Sequence, residues 1–321
     1  AVVSLRSLSD PKLSAPALDL FSEVTAKPSF PAESLARIKN QLLASFEYQK
    51  QDPSKQASLA LFEQLYEQHP YAHPSSGTAE SVPNIERQQL RDFHRSYYSA
   101  ENAQIALVGD LTLAQAKAIS EQVTARLPRG AAAASTAEPQ ATAASHTHIE
   151  FPSEQTHIML AQLSVKRGDD DYPALFLGNQ ILGGGATGPF MINVQTRAQL
   201  SEATLQLVQD LLREFINNGP SEAELANAKR ESLGSFPLSA ASNSAIVGQL
   251  AAIGFYDMPL TWMSDFMQDL QALSVADVHA AFQRHLNPEQ LVIVTVGPKV
   301  EQLPLPEPVE RAAPAAVERQ H

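Results

Sequence analysis

Hydrophobic positions along this chain follow two periods, one of strands and one of helices. The opening residues, Ala1-Val-Val-Ser-Leu-Arg-Ser-Leu-Ser9, alternate as a strand does. Helical stretches follow at Ser14 to Thr25, Pro31 to Lys50, Pro53 to Gln68 and Asn84 to Tyr98. Each begins near a proline or a capping Ser, Asp or Asn, residues that suit the unpaired N–H groups of a first helical turn. Gln104 to Val108 is a short apolar run stopped by Gly109-Asp110, and it predicts a buried strand. A further helix from Thr112 places Ala116, Ile119, Val123 and Leu127 along one face.

From Gly130 to Ser145 no large apolar residue is present to hold the chain to a core, so this stretch predicts an interdomain linker. The second half then reads as strands at His146 to Phe151 and His157 to Val165, a helix at Pro173 to Leu182 and a strand at Phe190 to Thr196. Four helices are expected between Leu200 and Leu286, and a last strand at Leu291 to Val296. The tail, rich in Pro, Ala and Glu, is expected to be loose. The halves repeat one another: Leu90, Phe93 and Arg95 lead through Asn102 to Ile105-Ala-Leu-Val108-Gly109. In parallel, Val278, Phe282 and Arg284 lead through Asn287-Pro288 to Leu291 through Val296-Gly297. The predicted architecture is α+β with two duplicated domains, each a sheet packed on helices. These are residues 1–129, a linker at 130–145, residues 146–300, and a loose tail at 301–321. The first domain reads as entered part-way, and an N-terminal part is expected to precede it, since the opening residues lack the basic start and cleavage site of a signal peptide.

Composition narrows the function classes. At 321 residues with 44% hydrophobic content, two cores are a better expectation than one. The 35 acidic against 23 basic residues give a net charge of -12, a field that repels nucleic acid and anionic lipid alike. No apolar run approaches the ~20 residues of a membrane span. The absence of cysteine removes disulfides, thiolate nucleophiles and Cys-based metal sites; it fits both cytoplasm and periplasm and leaves the compartment open.

Three segments carry a family resemblance. The first is His69-Pro-Tyr-Ala-His-Pro-Ser-Ser-Gly77-Thr78-Ala-Glu80-Ser81, with Leu90, Phe93, Tyr97, Tyr98 and Asn102 after it. The second runs from Gln155-Thr156-His157 through Gly168-Asp-Asp-Asp-Tyr172 to Leu177-Gly-Asn179-Gln-Ile-Leu182-Gly-Gly-Gly185. The third is Gly219-Pro-Ser-Glu-Ala-Glu-Leu225 through Ala228-Lys229. In this order they resemble the M16 metallopeptidases, specifically the half-length subunits of bacterial members. The resemblance implies a duplicated α+β fold, two such halves paired as a clam, and a peptide held between them as an added strand. In active subunits it implies zinc on two His of an inverted H-x-x-E-H motif, whose Glu is the general base, and on a Glu further along. Such a donor set suits zinc because neutral imidazoles and a carboxylate leave a fourth position for water.

The inverted motif is absent from this sequence. His69 and His73 imitate its spacing, but Pro70 and Pro74 make that stretch a loop and no Glu lies within it. His146, His148 and His157 read as ordinary strand-face residues. Matching Ile38 through Asp52-Pro53 to the family helix that bears the third ligand puts Ala44 and Ser45 at the carboxylate positions. Glu47, two residues on, is turned by about 200° around the helix. The expectation is therefore no catalytic residue and no metal in this chain, with zinc carried by a partner subunit. Gly183, Gly184 and Gly185 are expected on the rim of a substrate cleft. Only Ala186-Thr187 separates them from the next strand, where the family has a segment with a substrate-contacting Arg and Tyr.

The reading that follows is a non-catalytic subunit pairing with a zinc-bearing M16 paralogue and helping to grip an extended peptide; alone, the chain is free to form a homodimer. Two alternatives remain open. One is an active zinc peptidase with its motif in a preceding segment and another carboxylate as third ligand. The other is a structural assembly subunit of the respiratory bc1 core-protein type. Ser201, Ser232 and Ser235 sit in no recognisable nucleophile elbow.

Overall fold

The computed structural model describes residues 1–183 and 188–307. Five helices occupy the first half: α1 (Pro11–Ala26), α2 (Ala32–Gln49), α3 (Pro53–Tyr66), α4 (Arg87–Tyr97) and α5 (Leu113–Thr124). Their starts are set by local chemistry. Asp10 and Asp52 accept hydrogen bonds from the first-turn N–H groups of α1 and α3, each with a proline next in sequence. Thr112 and Gln115 cap α5 reciprocally.

The second half contains β1 (Ser145–Glu150), β2 (Gln155–Gln162), α6 (Tyr172–Ile181), β3 (Phe190–Arg197), α7 (Ser201–Asn218), α8 (Glu222–Ser239), α9 (Asn243–Phe255), α10 (Trp262–Ala272), α11 (Val275–His285) and β4 (Val292–Gly297). Five helices thus stand where four were expected. The capping Ser242, whose side chain accepts from Ala245 N–H, starts a new helix after α8. Ser274 does the same for α11, paired reciprocally with Asp277.

The four strands form one mixed sheet in the order β1-β4-β2-β3, with β1 parallel to β4 and the other pairs antiparallel. Every residue of β4 is buried, as a central strand with both faces covered requires. On one face Ile158, Leu160 and Ile293 join Leu177, Leu212, Phe215, Val278 and Phe282 from the second-half helices. On the other face Met159, Ala161, Val292, Val294 and Val296 pack against Ala57, Leu61 and Leu65 of α3. A first-half helix therefore closes the second-half core.

Two expected strands are not strands. Residues 1–9 and Gln104 to Val108 adopt no regular element, and no backbone hydrogen bond joins either to a described residue. A strand exists through its neighbours, and an apolar alternation without an adjacent backbone satisfies its polar groups in water instead. The sheet expected in the first half is accordingly not present among the described residues, and the α+β character of the chain rests on the second-half sheet.

The tail also departs from expectation at its start. The Gln302 side chain donates to Ala198 O (3.0 Å) and accepts from Ser201 Oγ (3.2 Å), and Leu303 N–H donates to Gln199 O (2.6 Å). These bonds tie the residues after β4 to the start of α7. The remainder of the tail, 308–321, lies outside the described residues. Residues 125–144 form no helix or strand and lie against the surface, with Ala137 O held by His69 Nε2 at 2.8 Å and Glu138 paired with Lys166.

The repeat seen in sequence extends further in three dimensions. Helices α2 and α8 have equal length, each 18 residues, and each precedes a capped helix whose last turn runs into a tyrosine followed by an acidic residue with positive φ. These are Tyr66-Glu67 at the end of α3 (Glu67 φ 45) and Tyr256-Asp257 just after α9 (Asp257 φ 51). Side chains rarely adopt that conformation, so its recurrence at matching places marks equivalent turns. Helices α4 and α11 match likewise, each 11 residues and each followed by a single 3-10 turn.

Candidate functional site

The position that the resemblance assigns to the third metal ligand lies on α2. Ala44 is exposed and Ser45 half-buried, and the Ser45 hydroxyl accepts from Gln49 Nε2 at 3.2 Å, a bond internal to the helix. Glu47 is solvated and pairs with Lys50 at 2.7 Å, three residues on. A methyl group and a helix-bound hydroxyl do not supply the charged oxygen a zinc ligand set needs, and the residues present do not fit the ion.

The histidines do not converge either. His69 uses both ring nitrogens: Nδ1 accepts from Tyr71 N–H at 3.2 Å within its own loop, and Nε2 lies 2.8 Å from Ala137 O in the stretch after α5. His73 is exposed in the loop beyond. On the sheet, His157 is opposite Val296 and so shares the face covered by α3, whereas His146 and His148 stand opposite Ile293 and Thr295 on the other face. His148 Nδ1 lies 3.0 Å from Thr295 Oγ1. Strand periodicity thus separates residues that the sequence places near one another.

Among the described residues one group has metal-like spacing, Asp169, Asp171 and His285, and the sequence reading did not single it out. Its geometry is that of an ion-pair knot. Arg284 donates through Nε and Nη2 to both oxygens of Asp171 (2.9 and 2.6 Å), and His285 Nε2 lies 2.7 Å from Oδ2. Asp169 Oδ1 accepts from Asp171 N–H. A bidentate guanidinium fills the carboxylate's lone pairs and leaves a cation little to bind. The knot joins the start of α6 to the last turn of α11, where basic residues also suit the helix dipole. The signal in the sequence was Arg284-His285 at a helix end, which has no meaning until the fold brings Asp171 there.

Arg284 holds the Asp171 carboxyl below the ordinary carboxylate range, with His285 assisting against the opposing effect of burial. A lowered folded-state pKa means that the stabilisation is complete above the unfolded value near 4 and is lost as pH falls through the lower folded value. Asp171→Asn is expected to lower the urea midpoint at pH 7 and to narrow the gap between the midpoints at pH 7 and pH 3. An unchanged gap would assign the acid sensitivity to other carboxylates.

Gly183, expected on a cleft rim, follows α6 with φ +84, and no described atom lies within 4 Å of where its Cβ would be. Gly184 and Gly185 lie outside the described residues. Beside this turn is a small cavity of about 20 Å³ lined in part by Ser164, Asn179, Gly188 and Phe190. Strand β3, which begins there, pairs only with β2 among the described strands, so its outer edge is open.

This combination, one mixed sheet covered by helices on both faces, with Ala44 and Ser45 presented by α2, defines an α+β peptidase-like scaffold. The chain belongs to the peptidase M16 family. Residues 84–204 match the family description "Peptidase M16 inactive domain". The crystal structure of a peptidase M16 inactive domain from Pseudomonas fluorescens is 52% identical and superposes with a TM-score of 0.90, over 93% of this chain and 78% of that one. The non-peptidase homolog YmxG of Helicobacter pylori is 22% identical over 88% of this chain and 72% of its own length. An uncharacterized zinc protease of Mycobacterium bovis is 21% identical over 91% of this chain and 73% of its own. No single helix among the described residues is long and apolar enough to cross a membrane; α8 and α9 reach that composition only together, across a 109° bend.

Proposed function

We propose that this chain is the non-catalytic half of a two-subunit M16 peptidase, pairing with a zinc-bearing paralogue and contributing a wall of the peptide-binding cavity. The observation that carries this reading is the α2 surface, where Ala44 and the helix-bonded Ser45 stand at the positions that the resemblance assigns to carboxylates. The match to the inactive domain and the similarity to a protein named a non-peptidase homolog support it. The open edge of β3 offers an extended peptide main-chain hydrogen bonds, the usual way a sheet accepts a strand. Zinc, in this reading, is held by the partner, and the periplasm is the compartment.

The test is to assay peptide cleavage by this chain, by a paralogue carrying the inverted motif, and by their mixture. Activity is expected only or mainly in the mixture, and loss of the paralogue's motif should abolish it. The competing reading, an active peptidase, is favoured by the relatives named zinc proteases. Cleavage by this chain alone with one zinc per chain would establish it and end the present proposal.

A further inference from the structure

Three buried side-chain oxygens, Ser99 Oγ, Thr156 Oγ1 and Asn179 Oδ1, have no hydrogen-bond partner among the described residues. A buried polar atom left unpaired loses the hydrogen bonds it made to water, so each calls for a physical account. Two of them sit in close packing. Thr156 Oγ1 presses on Gly297, where an added Cβ would overlap it, and Ser99 Oγ lies 2.7 Å from where a Cβ on Gly130 would be. Asn179 differs, because it lines the small cavity beside the start of β3.

One wall of that cavity is a face of α6. Tyr172, Leu175, Phe176 and Asn179 recur at i, i+3, i+4 and i+7, and all four line it. Asn179 is only 4% exposed, so its amide stands where this stripe would otherwise carry an apolar residue. The facing wall is the place where β2 and β3 part. Their last pair is Gln162 with Phe190, and Ser164 and Gly188 line the cavity just beyond it. No backbone hydrogen bond joins either of these two to a described residue. Gly188 turns there with φ +81, a conformation that glycine adopts without strain. An unpaired acceptor on the helix therefore meets the polar groups of two strand ends across one space. That space measures about 20 Å³, and about 10–15 Å³ on the same measure admits one water.

We propose that this cavity is a binding site for one internal water, which donates to Asn179 Oδ1 and links it to Ser164 and Gly188. A bridging water is nearly as favourable as a direct hydrogen bond and costs little to order. The largely apolar walls offer a metal cation too few oxygen ligands, and the volume admits nothing much larger than water. Exchanging Oδ1 and Nδ2 of Asn179 would put a donor at the same place, which a water satisfies equally well. The water continues the β2–β3 ladder one step past its last pair and ties the beginning of β3 to α6. The site involves neither the α2 surface nor the outer edge of β3, so its failure leaves the partner-subunit reading standing.

A crystal structure of the whole chain, at a resolution that shows ordered water, tests the site directly. Water density is expected about 2.7–3.2 Å from the Asn179 side-chain oxygen and within the same reach of Ser164 or Gly188. A site without density overturns the proposal, and so does a direct hydrogen bond to that oxygen from another group of the chain. Asn179→Leu keeps the side chain's size and removes the acceptor, so the density should be lost. Hydrogen–deuterium exchange of the same variant should show the amides of residues 190–192 exchanging roughly tenfold faster, with those of Val292 to Val296 unchanged. Unchanged exchange at 190–192 would overturn the tie between β3 and α6. If Asn179→Leu does not fold, the density of the unsubstituted protein still decides.

Discussion

Gly178→Ala is expected to destabilise the protein by about 1–3 kcal/mol or more, the range for forcing extra atoms into a filled core. On an exposed helix the same exchange would help by about 1 kcal/mol, because glycine is a poor helix former. Packing reverses the sign. Gly178 lies within α6 where a Cβ would sit 2.6 Å from Cζ of Phe282 and closer still to Cε2. Phe282 has no exposed surface and is held edge-on by Phe190 and Phe215, so its ring has nowhere to go. Phe282→Ala alone should cost about 3–5 kcal/mol through the cavity it leaves. In Gly178→Ala/Phe282→Ala the new methyl enters that cavity, and the double variant should lose less than the sum of the two. Chemical unfolding of the four proteins measures this, and strict additivity would show that the two residues do not press on each other.

Leu61→Ala should cost about 2–5 kcal/mol, as for other fully buried leucines. Its location makes the loss informative. Leu61 belongs to a first-half helix, while Met159, Ala161, Val292, Val294 and Val296, which share its core, belong to the second-half sheet. The second half should therefore be destabilised by a first-half substitution, with near-UV signals of both halves lost in one transition. Residues 145–307 expressed alone would leave that sheet face in water and should bind a hydrophobic dye without unfolding cooperatively. A fragment as stable as the intact chain would show that α3 is dispensable to this core.

The helices were legible because their signals are local. Asp10, Asp52, Thr112, Ser221 and Ser274 cap first turns from within the same stretch of chain, so no distant residue needs to be known. Strands were legible only where partners exist. The runs Ile105 to Val108 and Val292 to Val296 look alike in sequence, but the second is a central strand while the first pairs with no described residue, because pairing is a property of neighbours. Of the candidate site, the amino acids at Ala44 and Ser45 could be read directly. The Asp171, Arg284 and His285 knot could not, since 113 residues separate its ends.

By itself the sequence determined which side chains α2 carries at positions 44 and 45, since no folding can make an alanine methyl or a helix-bonded serine into a carboxylate. It also determined the duplicated order of helices, through caps and apolar periods acting within a few residues. The tertiary structure alone decided the order of the four described strands, which helix covers them, and that His146 and His157 face opposite ways. Those outcomes depend on contacts between residues far apart in the chain, whose free energy exists only once both sides are in place.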